Sequence, residues 1–257
     1  MNKIKFIAEV GVNHLGHETK AEIYCKSLAL SHVDSVTFQI REKEFYDQSE
    51  SWKSKLSDQC YINCKEILNK YNKGFGVALG DIETAKIYSN LSPDFWKVLS
   101  WGIKDIPLIE FLIETGKPVY LSTGISGMEE ITLISQKYKK NISFIHTQLS
   151  SDIEDVNLLA IKTMREETGC DVSFGLHCSN FDVLNLAIVY NPKALFFYVK
   201  EDLNFEYPDN SWAIPISNVD DMISNIQCLI SSLGDGKKNP FIAKTLNEED
   251  KPSILEE

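Results

Sequence analysis

The sequence predicts a single (β/α)8 barrel, and three observations lead to that prediction. Short apolar runs rich in Val, Ile, Phe and Tyr alternate with longer segments whose apolar residues recur at helical spacing. Eight such strand–helix pairs precede residue 235 of the 257-residue chain, and a barrel of this type needs about 250 residues. Runs such as residues 119–121 are apolar throughout, as expected of parallel strands buried on both faces. A doubly wound open sheet is the main alternative, although it usually has fewer strands at this length.

The predicted elements follow one another along the whole chain. The strand candidates are residues 4–10, 34–39, 74–79, 95–100, 119–122, 142–147, 171–176 and 194–199. The helix candidates include residues 19–30, 57–71, 106–115, 156–168, 181–189 and 219–233. Ser126 opens a Ser-x-x-Glu capping box, which predicts a helix start there. Gly116 and Gly169 fall where helices should end. We expect a barrel over residues 1–235 and a polar tail over residues 236–257.

Composition and charge exclude several classes of function. The chain has 26 Lys and Arg against 37 Asp and Glu, a net charge of −11, and no basic run, so nucleic acid is not an expected partner. No stretch approaches the apolar length of a membrane span, and the N-terminus runs into a strand without a signal peptide. We therefore expect a cytoplasmic protein without a membrane partner. The six cysteines show neither a CxxC pair nor zinc-type spacing, which predicts reduced structural thiols.

Polar side chains stand at the carboxyl end of nearly every predicted strand, where the active sites of such barrels form. Glu9 and Lys97 lie inside apolar runs, and a buried charge needs a partner, so each is either a functional residue or half of a structural ion pair. His14 and His177 follow strands and are candidate functional residues, the alternative being histidines satisfied by the backbone. His146 is more typical of a core histidine.

At these positions the sequence resembles the sialic acid synthases, enzymes that condense phosphoenolpyruvate with an N-acylated amino sugar. Residues 8–16 (Ala-Glu-Val-Gly-Val-Asn-His-Leu-Gly) resemble the first-strand signature of that family, and residues 36–39 (Val-Thr-Phe-Gln) its second-strand Val-Lys-Phe-Gln. Residues 118–124 (Pro-Val-Tyr-Leu-Ser-Thr-Gly) are similar to the fifth-strand motif, and residues 233–238 to the segment that closes the barrel. The resemblance extends from residue 4 to about residue 240.

The resemblance implies a divalent metal ion, Mn²⁺ or Mg²⁺, that polarises the sugar aldehyde and is held by two histidines. His177 stands at one of these positions, and Tyr198 replaces the other. Catalytic roles are implied for Glu9, Lys97 and His177. The substrate-binding residues that the chain shares with the family are Asn13, His14, Gln39, Ser100, Ser122, Thr123 and Asp209.

Several residues of the family are replaced in this chain. Thr37 and Phe197 stand where lysines are expected, which leaves Lys97 to bind phosphoenolpyruvate. Losing two charge-assisted hydrogen bonds of roughly 1.5–3 kcal/mol each would weaken that binding by about two to four powers of ten. We therefore expect impaired or altered phosphoenolpyruvate chemistry. The other replacements are Phe196 and Gly102 for glutamates, Gly175 for a serine and Leu176 for an aspartate.

Three functions stay open on these grounds. The first is a working synthase of sugar acids, and the second is a non-catalytic barrel that binds a sugar or a pathway partner. The third is an enzyme for a less charged substrate, with residues 196–198 (Phe-Phe-Tyr) as an aromatic floor, although these rings are more typical of side chains that fill a barrel. The family also implies a homodimer in which a C-terminal antifreeze-like domain covers the partner's site. Because residue 257 stands where that domain would begin, we expect a pocket without this lid.

Overall fold

The protein folds into the predicted closed barrel. The structure is a computed structural model that describes residues 3–48, 55–201 and 205–238. Eight parallel strands pair in sequence order, and the last of them closes on the first. The strands are β1 (Lys5–Gly11), β2 (Ser35–Gln39), β3 (Gly74–Leu79), β4 (Phe95–Val98), β5 (Val119–Ser122), β6 (Ile142–His146), β7 (Asp171–Gly175) and β8 (Ala194–Lys200). A short β9 (Ile214–Pro215) pairs with β8. The predicted strand bounds agree with these to within two residues.

Helices cover the outside of the barrel. They are α1 (Glu18–Ala29), α2 (Lys43–Tyr46), α3 (Asp58–Asn69), α4 (Ile82–Tyr88), α5 (Ile106–Glu114), α6 (Met128–Tyr138), α7 (Leu159–Thr168), α8 (Val183–Ala187) and α9 (Ile216–Ser232). Helix α7 begins later than predicted, because Asn157 adopts a left-handed backbone with φ of 46°. Gly116 and Gly169 also have positive φ, as expected of residues that end helices.

The capping-box prediction is correct about the helix but wrong about its cap. Helix α6 follows the motif, but Gly127 is its N-cap residue and provides no side-chain cap. Ser126 precedes the N-cap position and therefore does not take the role that the motif predicts. Two acidic residues in the first turn, Glu129 and Glu130, instead lie where the helix dipole favours negative charge.

Strand alternation sorts the side chains of the barrel into two apolar groups. Outward-facing residues pack against the helices in a large outer core, which includes Phe38, Val98 and Phe197. A smaller group fills the interior of the barrel near the amino ends of the strands, and we call it the aromatic plug. Its members are Ile7, Phe95, Tyr120, Ile145, Ala194 and Phe196. Phe196 therefore fills the barrel as predicted, whereas Phe197 faces the helices.

Gly76 on β3 makes room for the aromatic plug. A Cβ at this position would lie 2.1 Å from the ring of Phe95, which meets Tyr120 edge-on at 5.6 Å. We expect Gly76→Ala to lower the free energy of unfolding by about 1–3 kcal/mol, measured by urea denaturation, because overpacking displaces the rings. Gly127→Ala is the control, since a Cβ there meets nothing within 4 Å. Equal effects of the two substitutions would contradict this role of Gly76.

The structure also bears on the expectations about the cysteines, membrane spans and the polar tail. All six cysteines are free thiols, five of them buried and Cys228 exposed. No helix in the described part of the chain is long and apolar enough to cross a membrane. From residue 239 onward, the predicted polar tail lies outside the described residues.

Candidate functional site

Glu9 on β1 and Lys97 on β4 meet inside the barrel. The Lys97 ammonium donates a hydrogen bond to Glu9 Oε1, and the two residues are only 4% and 3% exposed. Among the described residues they are the only Asp, Glu, Lys or Arg side chains that are fully buried. The ammonium also lies 5.5 Å from the ring centroid of Phe196 and 5.8 Å from that of Tyr198, where aromatic faces attract cations. The two charges that stood out in the sequence therefore form one buried ion pair, at the end of the barrel where polar residues converge.

An aromatic wall stands beside this ion pair. Tyr198 on β8 meets His177 edge-on at 5.3 Å, and Trp212 stacks on His177 at 5.5 Å. Burial and the positive charge of Lys97 lower the pKa of His177 to about 3. Burial, together with the negative charges of nearby carboxylates, holds the pKa of Tyr198 well above its usual value. Both rings are therefore uncharged at neutral pH.

Asp209 is held against the same wall by the loop after β1. Its backbone N–H donates to Asn13 Oδ1 at 3.3 Å, and the Asn13 amide donates to a main-chain carbonyl of β8 at 2.9 Å. Gly11, with φ of +57°, permits this approach, because a Cβ there would lie 2.8 Å from the Tyr198 ring and 3.0 Å from Asp209 Oδ2. Burial and then the charge of Glu9 raise the pKa of Asp209 to about 7. This carboxyl is therefore partly protonated at neutral pH.

The predicted binding residues at the ends of β4 and β5 form hydrogen bonds with one another and with the main chain. The hydroxyl oxygens of Ser100 and Ser122 are 2.9 Å apart, and the backbone N–H of Gly124 donates to Ser100 Oγ at 3.2 Å. The Thr123 hydroxyl donates to the carbonyl of Ile145 at 3.0 Å. These bonds tie together the carboxyl ends of β4, β5 and β6. The structure thus places these residues at the site and also gives them a structural role.

Two buried polar groups near β1 and β2 have no hydrogen-bond partner among the described residues. His14 Nδ1 accepts the backbone N–H of Gly16 at 3.0 Å, so the proton of the neutral ring lies on Nε2, which is unpartnered. Burial lowers the pKa of His14 to about 4, which keeps the ring neutral. The Thr37 hydroxyl, next to Glu9 in the β1–β2 register, is the second such group. Gln39, which ends β2, is 9% exposed. Unpartnered buried polar atoms commonly meet water or ligand.

His146 is a core histidine, as the sequence indicated. Its Nε2 lies 2.9 Å from the carbonyl oxygen of Val156, and its ring packs beside Phe174 at 6.2 Å. Burial lowers its pKa. It takes no part in the site.

The residues around His177 do not fit the divalent metal ion that the resemblance implies. The described part of the chain has no group of three or more His, Cys, Asp or Glu side chains arranged to hold an ion. Tyr198 stays protonated, and the charge of Lys97, which lowers the pKa of His177, would also repel a cation. Leu176, at the position of the family aspartate, packs in the outer core. Neither Mn²⁺ nor Mg²⁺ finds a suitable donor set among these residues.

The structure also changes the weight of the replaced residues. The expected loss of a substrate-binding lysine at Phe197 is wrong, because this side chain faces the helices and not the interior. Thr37 lies beside Glu9 in the register and faces the interior with it, so a lysine at this position would add a cation to the site. At Gly102 a Cβ would lie 2.6 Å from the carbonyl oxygen of Gly80, so no side chain fits there without a backbone shift.

Arg41 is a residue of the site that the sequence did not reveal. It follows β2, and its guanidinium carbon lies 4.1 Å from the ring centroid of Phe45 and 4.6 Å from that of Trp101. Both oxygens of Glu42 accept hydrogen bonds from it, at 3.0 and 2.7 Å. It lies two residues beyond Gln39, where the apolar run of β2 ends, so it does not stand out as a charge inside such a run. A basic residue just beyond a strand end is the signal that would have found it.

Comparison with known proteins identifies the family to which this barrel is similar. A sequence profile of the NeuB family matches residues 19–238. An uncharacterized protein of Methanocaldococcus jannaschii is 26% identical over 249 residues, covering 91% of this chain and 73% of that protein. The pseudaminic acid synthase of Campylobacter jejuni is 22% identical over 281 aligned positions, covering 95% of this chain and 81% of the synthase.

The fold has a solved counterpart as well. The crystal structure of the N-acetylneuraminic acid (sialic acid) synthetase from Leptospira borgpetersenii, in complex with citrate, superposes with a TM-score of 0.85. The two chains are 22% identical, and the match covers 93% of this chain and 88% of the other. The likeness shows that the two proteins share the same barrel fold. Because the family profile spans most of the sequence, this protein belongs to the NeuB family.

Proposed function

We propose that this protein is a sugar-acid synthase-like barrel of surface-glycan biosynthesis in which condensation of phosphoenolpyruvate with an N-acylated amino sugar is impaired. The observation that carries the proposal is the closed ion pair of Lys97 and Glu9. Phosphoenolpyruvate brings about three negative charges, and each oxygen needs a cationic or N–H donor. Lys97 is the only Lys or Arg that is fully buried in the described part of the chain, and Glu9 already neutralises it.

The groups around the pair support the same conclusion. Thr37 offers a hydroxyl where a lysine would balance Glu9. His177 is neutral, because burial and Lys97 lower its pKa to about 3. Asp209 adds a second carboxyl group near Glu9, whose charge helps to raise its pKa to about 7. The interior thus holds two acidic groups against one ammonium, which disfavours a multiply charged anion. The cytoplasmic location expected from the sequence and the homodimer implied by the resemblance stay predictions.

A second candidate function is a barrel that binds a sugar without condensing it. The aromatic wall of Tyr198, His177 and Trp212 favours this alternative, because uncharged rings stand where the family holds a metal ion. The buried polar atoms without a partner among the described residues, such as Thr37 Oγ1 and Asp209 Oδ2, suit the hydroxyl and amide groups of an acylated sugar. Both candidates share the sugar site, and neither is expected to release sugar-dependent phosphate.

Phosphate release distinguishes the two candidates from a working synthase. We expect the wild-type protein, given phosphoenolpyruvate and N-acetylmannosamine with or without Mn²⁺, to release no sugar-dependent phosphate. Thr37→Lys should tighten phosphoenolpyruvate binding about tenfold or more in calorimetry, because a charge-assisted hydrogen bond contributes roughly 1.5–3 kcal/mol.

Thr163→Lys is the matched control for this experiment. Thr163 is exposed on helix α7, so the substitution adds the same charge on the outer surface of the barrel, away from the site. It should not tighten phosphoenolpyruvate binding. Sugar-dependent release by the wild-type protein, with a product of the mass of the condensed sugar acid, would overturn the proposal.

A further inference from the structure

We propose that Arg41 forms an anion subsite at the rim of the barrel, and that it binds the carboxylate of a sugar acid. The inference deepens the proposed function and rests on it only in placing the ligand in the same barrel. Arg41 is one of two arginines in the sequence, the other being Arg165. It lies just after the carboxyl end of β2, two residues beyond Gln39.

The guanidinium of Arg41 is held in place before any ligand binds. The rings of Phe45 and Trp101 lie 4.1 and 4.6 Å from its central carbon, which is stacking distance for a planar cation. The side chain is 19% exposed, so the group is restrained but still reaches solvent. A planar cation fixed between two rings loses little freedom when it binds an anion.

The hydrogen bonds of Arg41 leave one edge of the guanidinium open. A guanidinium carries five N–H donors. Glu42 accepts from Nε and from Nη2, which occupies one edge. Nη1 and the second hydrogen of Nη2, on the other edge, have no partner in the described ranges 3–48, 55–201 and 205–238. Two parallel N–H donors on one edge match the two oxygens of a carboxylate.

The position of Arg41 connects it with the buried ion pair. It follows β2, the strand that carries Thr37, and it stacks on Trp101 in the turn after β4, the strand that carries Lys97. Gly80 admits this indole, since a Cβ there would lie 2.1 Å from Trp101 Nε1. The positive charge of Arg41 also acts on Tyr198, whose pKa it lowers against the effect of burial. Arg41 therefore lies at the carboxyl ends of β2 and β4, the end of the barrel that holds the ion pair.

The open guanidinium edge of Arg41 matches an anion with one carboxylate better than a multiply charged one. The interior pair is already neutral, and Arg41 shares its own charge with Glu42, so only one guanidinium edge remains for a ligand. A sugar acid brings a single carboxylate for that edge, and hydroxyl groups for polar atoms such as Asp209 Oδ2, which has no partner among the described residues. Phosphoenolpyruvate, with about three charges, exceeds what one edge can match.

Calorimetric titration with N-acetylneuraminate at low ionic strength tests this subsite. We expect Arg41→Gln to weaken binding about tenfold or more, the range expected for one charge-assisted interaction. Arg41→Lys should weaken it nearly as much, because an ammonium neither stacks in the same way nor donates from a planar edge. N-acetylmannosamine, which lacks the carboxylate, should bind all variants alike.

Arg165→Gln is the matched control. The guanidinium of Arg165 donates to the carbonyl of Asn191 near the amino end of β8, at the opposite end of the barrel. This variant should bind N-acetylneuraminate like the wild-type protein. Thermal melting verifies that the Arg41 variants are folded, and if Arg41→Gln is not, Arg41→Lys decides.

Three outcomes would overturn the subsite: unchanged binding in a folded Arg41 variant, an equal loss in Arg165→Gln, or no binding of N-acetylneuraminate by the wild-type protein. Failure of the proposed function looks different. Sugar-dependent phosphate release by the wild-type protein would refute the impairment and leave the comparison of Arg41 variants unaffected.

Discussion

Replacing Lys97 with methionine is expected to lower the free energy of unfolding by about 3–5 kcal/mol, the usual consequence of leaving a buried charge without its partner. Glu9 would then be a 3%-exposed carboxylate beside Tyr198 and near the second carboxyl of Asp209. Urea denaturation followed by circular dichroism at pH 7.5 measures the loss.

The double variant Glu9→Gln with Lys97→Met is the control for this prediction. It removes both charges, so it should be more stable than Lys97→Met alone, and the coupling energy of the double-mutant cycle should be large and favourable to the pair. Additive effects of the two single substitutions would show that the ion pair does not couple these residues.

Asp209 is expected to make stability fall as the pH rises from about 4 to about 7. Its pKa is about 7 in the folded protein against an ordinary value of 3.8, so the native state binds a proton that the unfolded chain has released. Stability therefore decreases with pH across this window, by about 4 kcal/mol if the whole shift is realised. Asp209→Asn should remove this dependence.

The measurement is the difference in unfolding free energy between the wild-type protein and Asp209→Asn at several pH values. His14 and His177, with pKa values of about 4 and 3, act in the opposite direction. As the pH falls below about 6.5, the unfolded chain binds protons at these histidines before the native state does, which lowers stability in acid. Both proteins contain these histidines, so their contribution largely cancels in the difference. A difference that stays flat from pH 4 to pH 8 would contradict the raised pKa of Asp209.

The fold was predictable because its signal is local. Each strand is a short run of apolar residues bounded by polar turns, and eight such runs alternating with helical segments favour a closed barrel. Helix starts were less predictable, since backbone geometry decides them. Ser126 has the sequence of a cap, yet the chain places Gly127 at the N-cap position.

Residues of the site were predictable where a charged side chain lies inside an apolar run of the sequence. Glu9 and Lys97 stood out as charges within apolar runs, and they proved to be partners. Arg41 shows no such conflict, because the ring of Trp101 that holds it lies on a different strand end and only the fold brings the two together. The outward direction of Phe197 follows from the alternation of side chains along β8, and a resemblance of motifs does not contain that information.

The aromatic plug has a consequence for traffic through the barrel. The rings of Phe95, Tyr120 and Phe196 pack at centroid distances of 5.6 and 5.3 Å, and they close the interior at the amino ends of the strands. A ligand that enters at the carboxyl ends must therefore leave at the same end, past Arg41. Arg41 therefore acts on arrival as well as on departure, and raising the ionic strength should slow the capture of an anion as well as shorten its stay.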